Sequence, residues 1–150
     1  MNEILDKLDR ENLKIARFYK RVIAYFVDSF ILSLIVFVVL FERISAISDP
    51  QDIFAVFDEN FVLGFMVLQF CYHLIFTFLY GASLGKMLCK IAIIDELSLD
   101  KPNFTQCIIR AAVRQLSDSA FMLGFAWALG NDLRKSWEDY LAKTLVIEIA

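Results

Sequence analysis

The sequence predicts an all-α membrane protein with two transmembrane helices, a third amphipathic or re-entrant helical region, and a small cytoplasmic two-stranded element. Three observations carry this expectation. The 150-residue chain is 59% hydrophobic, more apolar side chain than a soluble domain of that size can bury. Two 20-residue apolar stretches, one with a single charge and one with none, match the roughly 30 Å of bilayer hydrocarbon at about 1.5 Å per residue. Basic residues gather on one side of these stretches and acidic residues on the other.

The elements follow in chain order, within a single membrane domain over residues 1–150. Residues 2–16 place Ile4, Leu5, Leu8 and Ile15 near one helical face, with Glu3/Lys7 and Asp6/Arg10 at i,i+4. The first 21 residues are therefore expected to form a cytoplasmic amphipathic helix at the membrane boundary. Residues 22–41 are the first span and residues 61–80 the second. The first apolar run is too long for a signal-peptide core and follows about twenty mostly polar residues, so it should remain as an anchor.

Residues 42–60 hold Arg43 against Glu42, Asp49, Asp52, Asp58 and Glu59. Lys7, Arg10, Lys14, Arg17, Lys20 and Arg21 precede the first span, and Lys86, Lys90 and Lys101 follow the second. The positive-inside rule then puts the N-terminus in the cytoplasm and residues 42–60 outside, as in a multi-pass protein of the cell inner membrane.

The third region, residues 104–130, is either an interfacial or re-entrant helical pair or a third crossing. Its uninterrupted apolar part, residues 119–130, would reach only about 18 Å as a helix. Gln106, Arg110, Arg114, Ser117 and Asp118 share one side, an amphipathic pattern with a basic stripe. A crossing would bury Arg110 and Arg114 at about 2.5 to 3.5 kcal/mol each near the bilayer centre, which favours the non-crossing arrangement. Residues 131–150 then form a cytoplasmic tail. The β-branched runs at residues 91–94 and 144–149 are expected to pair as strands.

Polar groups inside the spans are the candidate functional residues, because the bilayer makes them costly. Arg21, Tyr25 and Asp28 form one seam on the first helix, and Gln69, His73 and Thr77 another on the second. In antiparallel helices Asp28 lies about 9 Å and His73 about 10 Å from the cytoplasmic ends of their spans, so the two should sit level, with Tyr25 beside Thr77. A carboxylate and an imidazole so placed could exchange a proton on an ion path, or could simply pack the helices together. Gln69 is left needing a partner from the third region or from a second protomer. Gly81 and Gly85 have small-xxx-small spacing, which suits either a close helix contact or a helix end.

Other chemistries find no support. No nucleophile and base motif, zinc-protease motif, phosphate loop or dinucleotide fingerprint occurs, so no enzyme activity is expected. Cys71, Cys89 and Cys107 are widely spaced and the histidine is single, so neither disulfides nor a metal site, and no cofactor, is expected. A net charge of −3 without an exposed basic and aromatic run argues against nucleic acid.

The segments ARFYKRVIAYFVDSFIL (residues 16–32), GASLGKMLCKIAIID (residues 81–95) and RKSWEDYLAKTLVI (residues 134–147) resemble the RDD family of membrane proteins across nearly the whole chain. The resemblance assigns the family's arginine to Arg21, its first aspartate to Asp28 and its second to Asp139. It also matches Ser83 to Lys86 to the family's TLGK. Glu138 stands where a histidine is usual and Lys143 where a glycine is usual. The resemblance implies a chiefly bacterial, multi-pass protein for which transport of an unidentified ligand has been suggested. With a cytoplasmic C-terminus, Asp139 can reach Arg21 at the inner surface and form a charge-assisted pair. Two functions follow as expectations. One is an oligomeric transport or ion-coupling module for a proton or monovalent cation, using the Asp28/His73 seam. The other is an accessory membrane protein whose seam packs helices or docks a membrane partner.

Overall fold

The computed structural model describes residues 2–120 and 123–149. Phe121 and Met122 of the expected third region and Ala150 of the expected tail lie outside the described residues. Helix α1 (Asn2–Arg10) is followed by strand β1 (Lys14–Ile15) and the long helix α2 (Phe18–Ser45). A 3₁₀ segment (Pro50–Phe57) leads into the second long helix, α3 (Glu59–Tyr80). Short helix α4 (Leu84–Leu88), strand β2 (Ile91–Asp95) and helix α5 (Phe104–Ser119) come next. The chain ends with α6 (Leu123–Ala126), a 3₁₀ turn (Trp127–Gly130), α7 (Trp137–Ala142) and strand β3 (Thr144–Glu148).

Among the described residues, helices α2 and α3 are the two elements long and apolar enough to cross a membrane, and only 17% of the most apolar stretch of each is buried within the protein. A soluble core helix would be mostly covered. Instead Phe26, Phe30, Phe37, Val38 and Phe41 of α2, and Leu63, Val67 and Leu79 of α3, are exposed, as side chains in contact with lipid are. Arg21 and Arg43 lie about 33 Å apart along the α2 axis, which brackets a hydrocarbon layer of about 30 Å. The N-terminal turn of α3 is capped by Asp58, whose side chain accepts from the Phe61 amide at 2.9 Å. Its end is set by Gly81 at φ 70°, the left-handed conformation that closes a helix.

The buried residues of α2 are Arg21, Ala24, Asp28 and Leu32, one stripe that does not extend past the middle of the helix. Those of α3 are Tyr72, His73 and Thr77, all in its C-terminal half. The buried parts of both spans therefore lie toward one end, where a three-stranded antiparallel sheet of order β1-β3-β2 caps the molecule. Strand β3 lies in the middle, pairing Lys14 with Glu148 on one edge and Asp95 with Thr144 on the other. Leu145 and Ile147 pack with Leu8, Ile94 and Leu133 on one face, while Val146 packs with Ala16, Ala24, Ile91 and Ile93 on the other. Burial on both faces explains why residues 145–147 read as continuously apolar rather than alternating.

The amphipathic N-terminal helix is shorter than its periodicity suggests. It stops at Arg10, Asn12 turns the chain at φ 55°, and Ile15 enters the sheet opposite Ile147. Pairing to β3 satisfies backbone groups that a helix end would leave open, and it overrides the i,i+4 pattern. The sheet accordingly has three strands where two were expected. Helix α5 is about 24 Å long and so falls short of a crossing. Its basic stripe faces inward: Arg110 and Arg114 are buried, whereas Phe104, Ile108 and Leu116 are exposed.

Candidate functional site

At the sheet end, Asp28 is fully buried and its carboxylate accepts three hydrogen bonds. Tyr72 Oη donates at 2.8 Å, Ser83 Oγ at 2.6 Å and the Gly85 amide at 2.8 Å. Three donors offset the cost of burying a charge and fix α2 against both α3 and α4. The approach is close enough to require glycine: a Cβ on Gly85 would run into the Ala24 carbonyl oxygen and lie 2.9 Å from Asp28 Oδ1.

A second cluster is built around Asp139, also fully buried. Its Oδ2 lies 2.7 Å from Arg21 Nη2 and accepts from the Ser136 amide at 3.1 Å, and its Oδ1 pairs with Arg110 Nη1. Asp139 is thus both the third residue of the α7 capping box and the carboxylate shared by two arginines. Arg110 also donates to Thr144 Oγ1 and lies 3.3 Å from Glu138, while Arg21 donates to the Arg134 carbonyl. Burial alone would raise the Asp139 pKa, but the Arg21 and Arg110 guanidinium groups outweigh it and hold the carboxyl well below the usual range. The same contest, burial against Arg110 and then Lys86, leaves Glu138 lowered.

Asp118 of α5 clamps the two spans from the side. It accepts from Tyr25 Oη at 3.2 Å and from Gln69 Nε2 at 2.7 Å, while the Arg114 guanidinium sits 5.0 Å from the Tyr25 ring centroid. The third region thereby supplies the partner that Gln69 needs.

Between α3, α4, α5 and α7 lies a cavity of about 10 Å³. His73, Lys86, Arg110, Arg114 and Glu138 line it, with Thr77 and Ser83 adding hydroxyls. Among the described residues, His73 Nε2 and Arg114 Nε have no hydrogen-bond partner. Among the described residues, neither Lys86 nor Arg114 has a carboxylate within 4.0 Å, although Glu138 lines the same cavity and both are more than nine-tenths buried. Burial, with Arg110 adding to it, lowers the Lys86 ammonium to about 7.

The five residues singled out in the sequence fall into three groups. Arg21 and Asp139 are brought together, Lys86 and His73 share the cavity, and Asp28 sits apart with neutral donors. The expected Asp28/His73 pair does not form. Tyr72, one residue earlier, points at Asp28, and the roughly 100° step to the next residue turns His73 toward α5. Tyr25 likewise meets Asp118, not Thr77. Sequence reasoning missed Tyr72, Ser83 and Gly85 as ligands of Asp28, and Arg110 and Glu138 as members of the ionic cluster. The Gly81/Gly85 spacing is the signal that could have found the ligands of Asp28, whereas the basic stripe of α5 marks Arg110 without saying which way it faces.

A search of curated proteins and a search of solved structures each found no match. A family model described as the RDD family matches residues 15–143, a stretch that contains both spans, the Asp28 and Asp139 clusters and the cavity. The chain therefore belongs to the RDD family, a family of membrane proteins.

Proposed function

We propose that this protein is a non-catalytic, inner-membrane ion-coupling module, oligomeric in its working form, that exchanges protons for a monovalent cation. The observation that supports this reading is the set of under-partnered ionisable groups at one cavity, His73, Lys86 and Arg114. Ionisable groups at membrane depth are costly, and they recur on ion and proton paths. Lys86, with an ammonium that titrates near neutrality, is suited to take up and release a proton there. Asp28 is assigned the role of anchor. The excess of Lys and Arg at the sheet end orients the N-terminus toward the cytoplasm. Two spans per protomer enclose little space, which is the reason for invoking an oligomer.

A second reading, an accessory protein whose polar groups only lock helices, is favoured by the fully satisfied carboxylate of Asp28. Proteoliposomes loaded with a pH-sensitive dye and given a sodium or potassium gradient separate the two. Ion coupling predicts a cation-driven pH change that is lost in Lys86→Met and His73→Gln. Wild-type vesicles no different from empty ones would overturn it in favour of the second reading.

A further inference from the structure

Away from the small cavity, a cleft of about 380 Å³ opens between the first turn of α2 and the 3₁₀ turn at Trp127–Gly130. Arg17 and Arg134 supply its charge, Phe18, Tyr19 and Leu129 its apolar wall, and among the described residues no carboxylate lines it. Arg17 Nε lies 3.9 Å from Glu148, whose carboxylate sits closer, at 3.0 Å, to Lys20. Arg134 donates to the Ala16 carbonyl at 3.3 Å and, among the described residues, has no carboxylate within 4.0 Å. A guanidinium carries more N–H donors than these contacts use. The Asn131 side chain, also in the lining, is committed to backbone groups of Trp127 and Lys135. Arg17 lies about 6 Å beyond Arg21 along the α2 axis, outside the hydrocarbon edge that Arg21 marks and at the level of lipid phosphates. From the apolar wall, the exposed residues Tyr19, Ile23, Phe26 and Phe30 run along one side of α2 for about 16 Å, the depth of one leaflet's hydrocarbon. Tyr19 and Trp127, both exposed, are aromatic residues of the kind that settle at a membrane surface.

We propose that this cleft binds one anionic phospholipid from the leaflet on the sheet side, its phosphate held by Arg17 and Arg134 and an acyl chain laid along Tyr19, Ile23, Phe26 and Phe30. Guanidinium groups match phosphate oxygens in charge and in geometry. Two arginines without a carboxylate in the lining favour a headgroup of net negative charge, because the ammonium of a zwitterionic headgroup finds no partner there. The apolar wall and the track below it select a lipid over a soluble phosphate ester, which would satisfy the arginines and leave that surface uncovered. The site shares no lining residue with the cavity around Lys86, so it stands whether or not the protein carries flux.

The test uses the full chain in phosphatidylcholine vesicles, with dibrominated phosphatidylglycerol or dibrominated phosphatidylcholine added at equal mole fraction. Bromine quenches tryptophan on contact, and Trp127 stands in the 3₁₀ turn beside the cleft. The expected result is stronger quenching by the phosphatidylglycerol. A basic residue near an anionic surface is worth about fivefold in affinity, so Arg17→Gln should cut the preference about fivefold and the Arg17→Gln/Arg134→Gln pair should abolish it. Lys90→Gln, at an exposed lysine outside the cleft, should leave the preference unchanged. Should the double variant not fold, the comparison of Arg17→Gln with Lys90→Gln decides, since both positions are exposed. Equal quenching by the two lipids, or an equal loss in Arg17→Gln and Lys90→Gln, would overturn the site, the second result in favour of diffuse attraction. Relief of the phosphatidylglycerol quenching by excess glycerol phosphate would overturn it in favour of a soluble phosphate ester.

Discussion

Asp139 concentrates several roles in one carboxylate, since it caps α7, neutralises Arg21 and holds Arg110 beneath β3. Removing one partner of such a buried network leaves the others uncompensated, and Asp139→Asn should lower stability by about 3–5 kcal/mol in detergent unfolding. The pH dependence has a definite sign. A carboxyl whose folded value lies below the ordinary 3.8 stabilises at every pH above 3.8 and loses that contribution only as pH falls through the depressed value. The gap between wild type and Asp139→Asn should stay constant from pH 7 to pH 5 and close only in stronger acid. Lys86 gives the same sign of slope in a different interval. Its folded value of about 7 lies below the ordinary 10.5, so between them the unfolded chain binds the extra proton. In detergent unfolding, stability should rise over that interval more in the wild type than in Lys86→Met.

Among the elements, α4 is the keystone, because it brings Ser83 and Gly85 to Asp28. Gly85→Ala would press a methyl group into the α2 backbone at Ala24, so it should cost about 3 kcal/mol, the upper part of the overpacking range. At the α7 to β3 turn the strain runs the other way. Lys143 adopts φ 53° and ψ 54°, where a glycine would sit without penalty. Lys143→Gly should raise stability by about 1 kcal/mol in thermal unfolding. These elements also mark what the sequence could and could not convey. Length and apolarity located both spans within a few residues of α2 and α3. Depth arithmetic brought α3 to the level of Asp28, but depth is axial information, and the rotation that selects Tyr72 over His73 is fixed by packing against α4 and α5. The two residues of β1 are too few to carry a period. An inward basic stripe on α5 has the same spacing as an outward one, so its burial became visible only once Asp139 and Glu138 were seen opposite it.

At the scale of the molecule, the spans are held at one end by a sheet and buried ion pairs, while most of their length is bare apolar surface. In the proposed two-crossing arrangement, that division puts a polar platform on one side of the membrane and the short 3₁₀ connection on the other. The chain should accordingly stay with the membrane under alkaline carbonate washing. The most direct test is sidedness. With Cys71 and Cys89 replaced by serine and the buried Cys107 by alanine, single cysteines are placed at the exposed positions Glu11, Asp52 and Lys143 and labelled in sealed vesicles with a membrane-impermeant maleimide. Two crossings joined by one platform predict that positions 11 and 143 react from the same side and position 52 from the opposite side. Labelling of all three from one side would contradict the account.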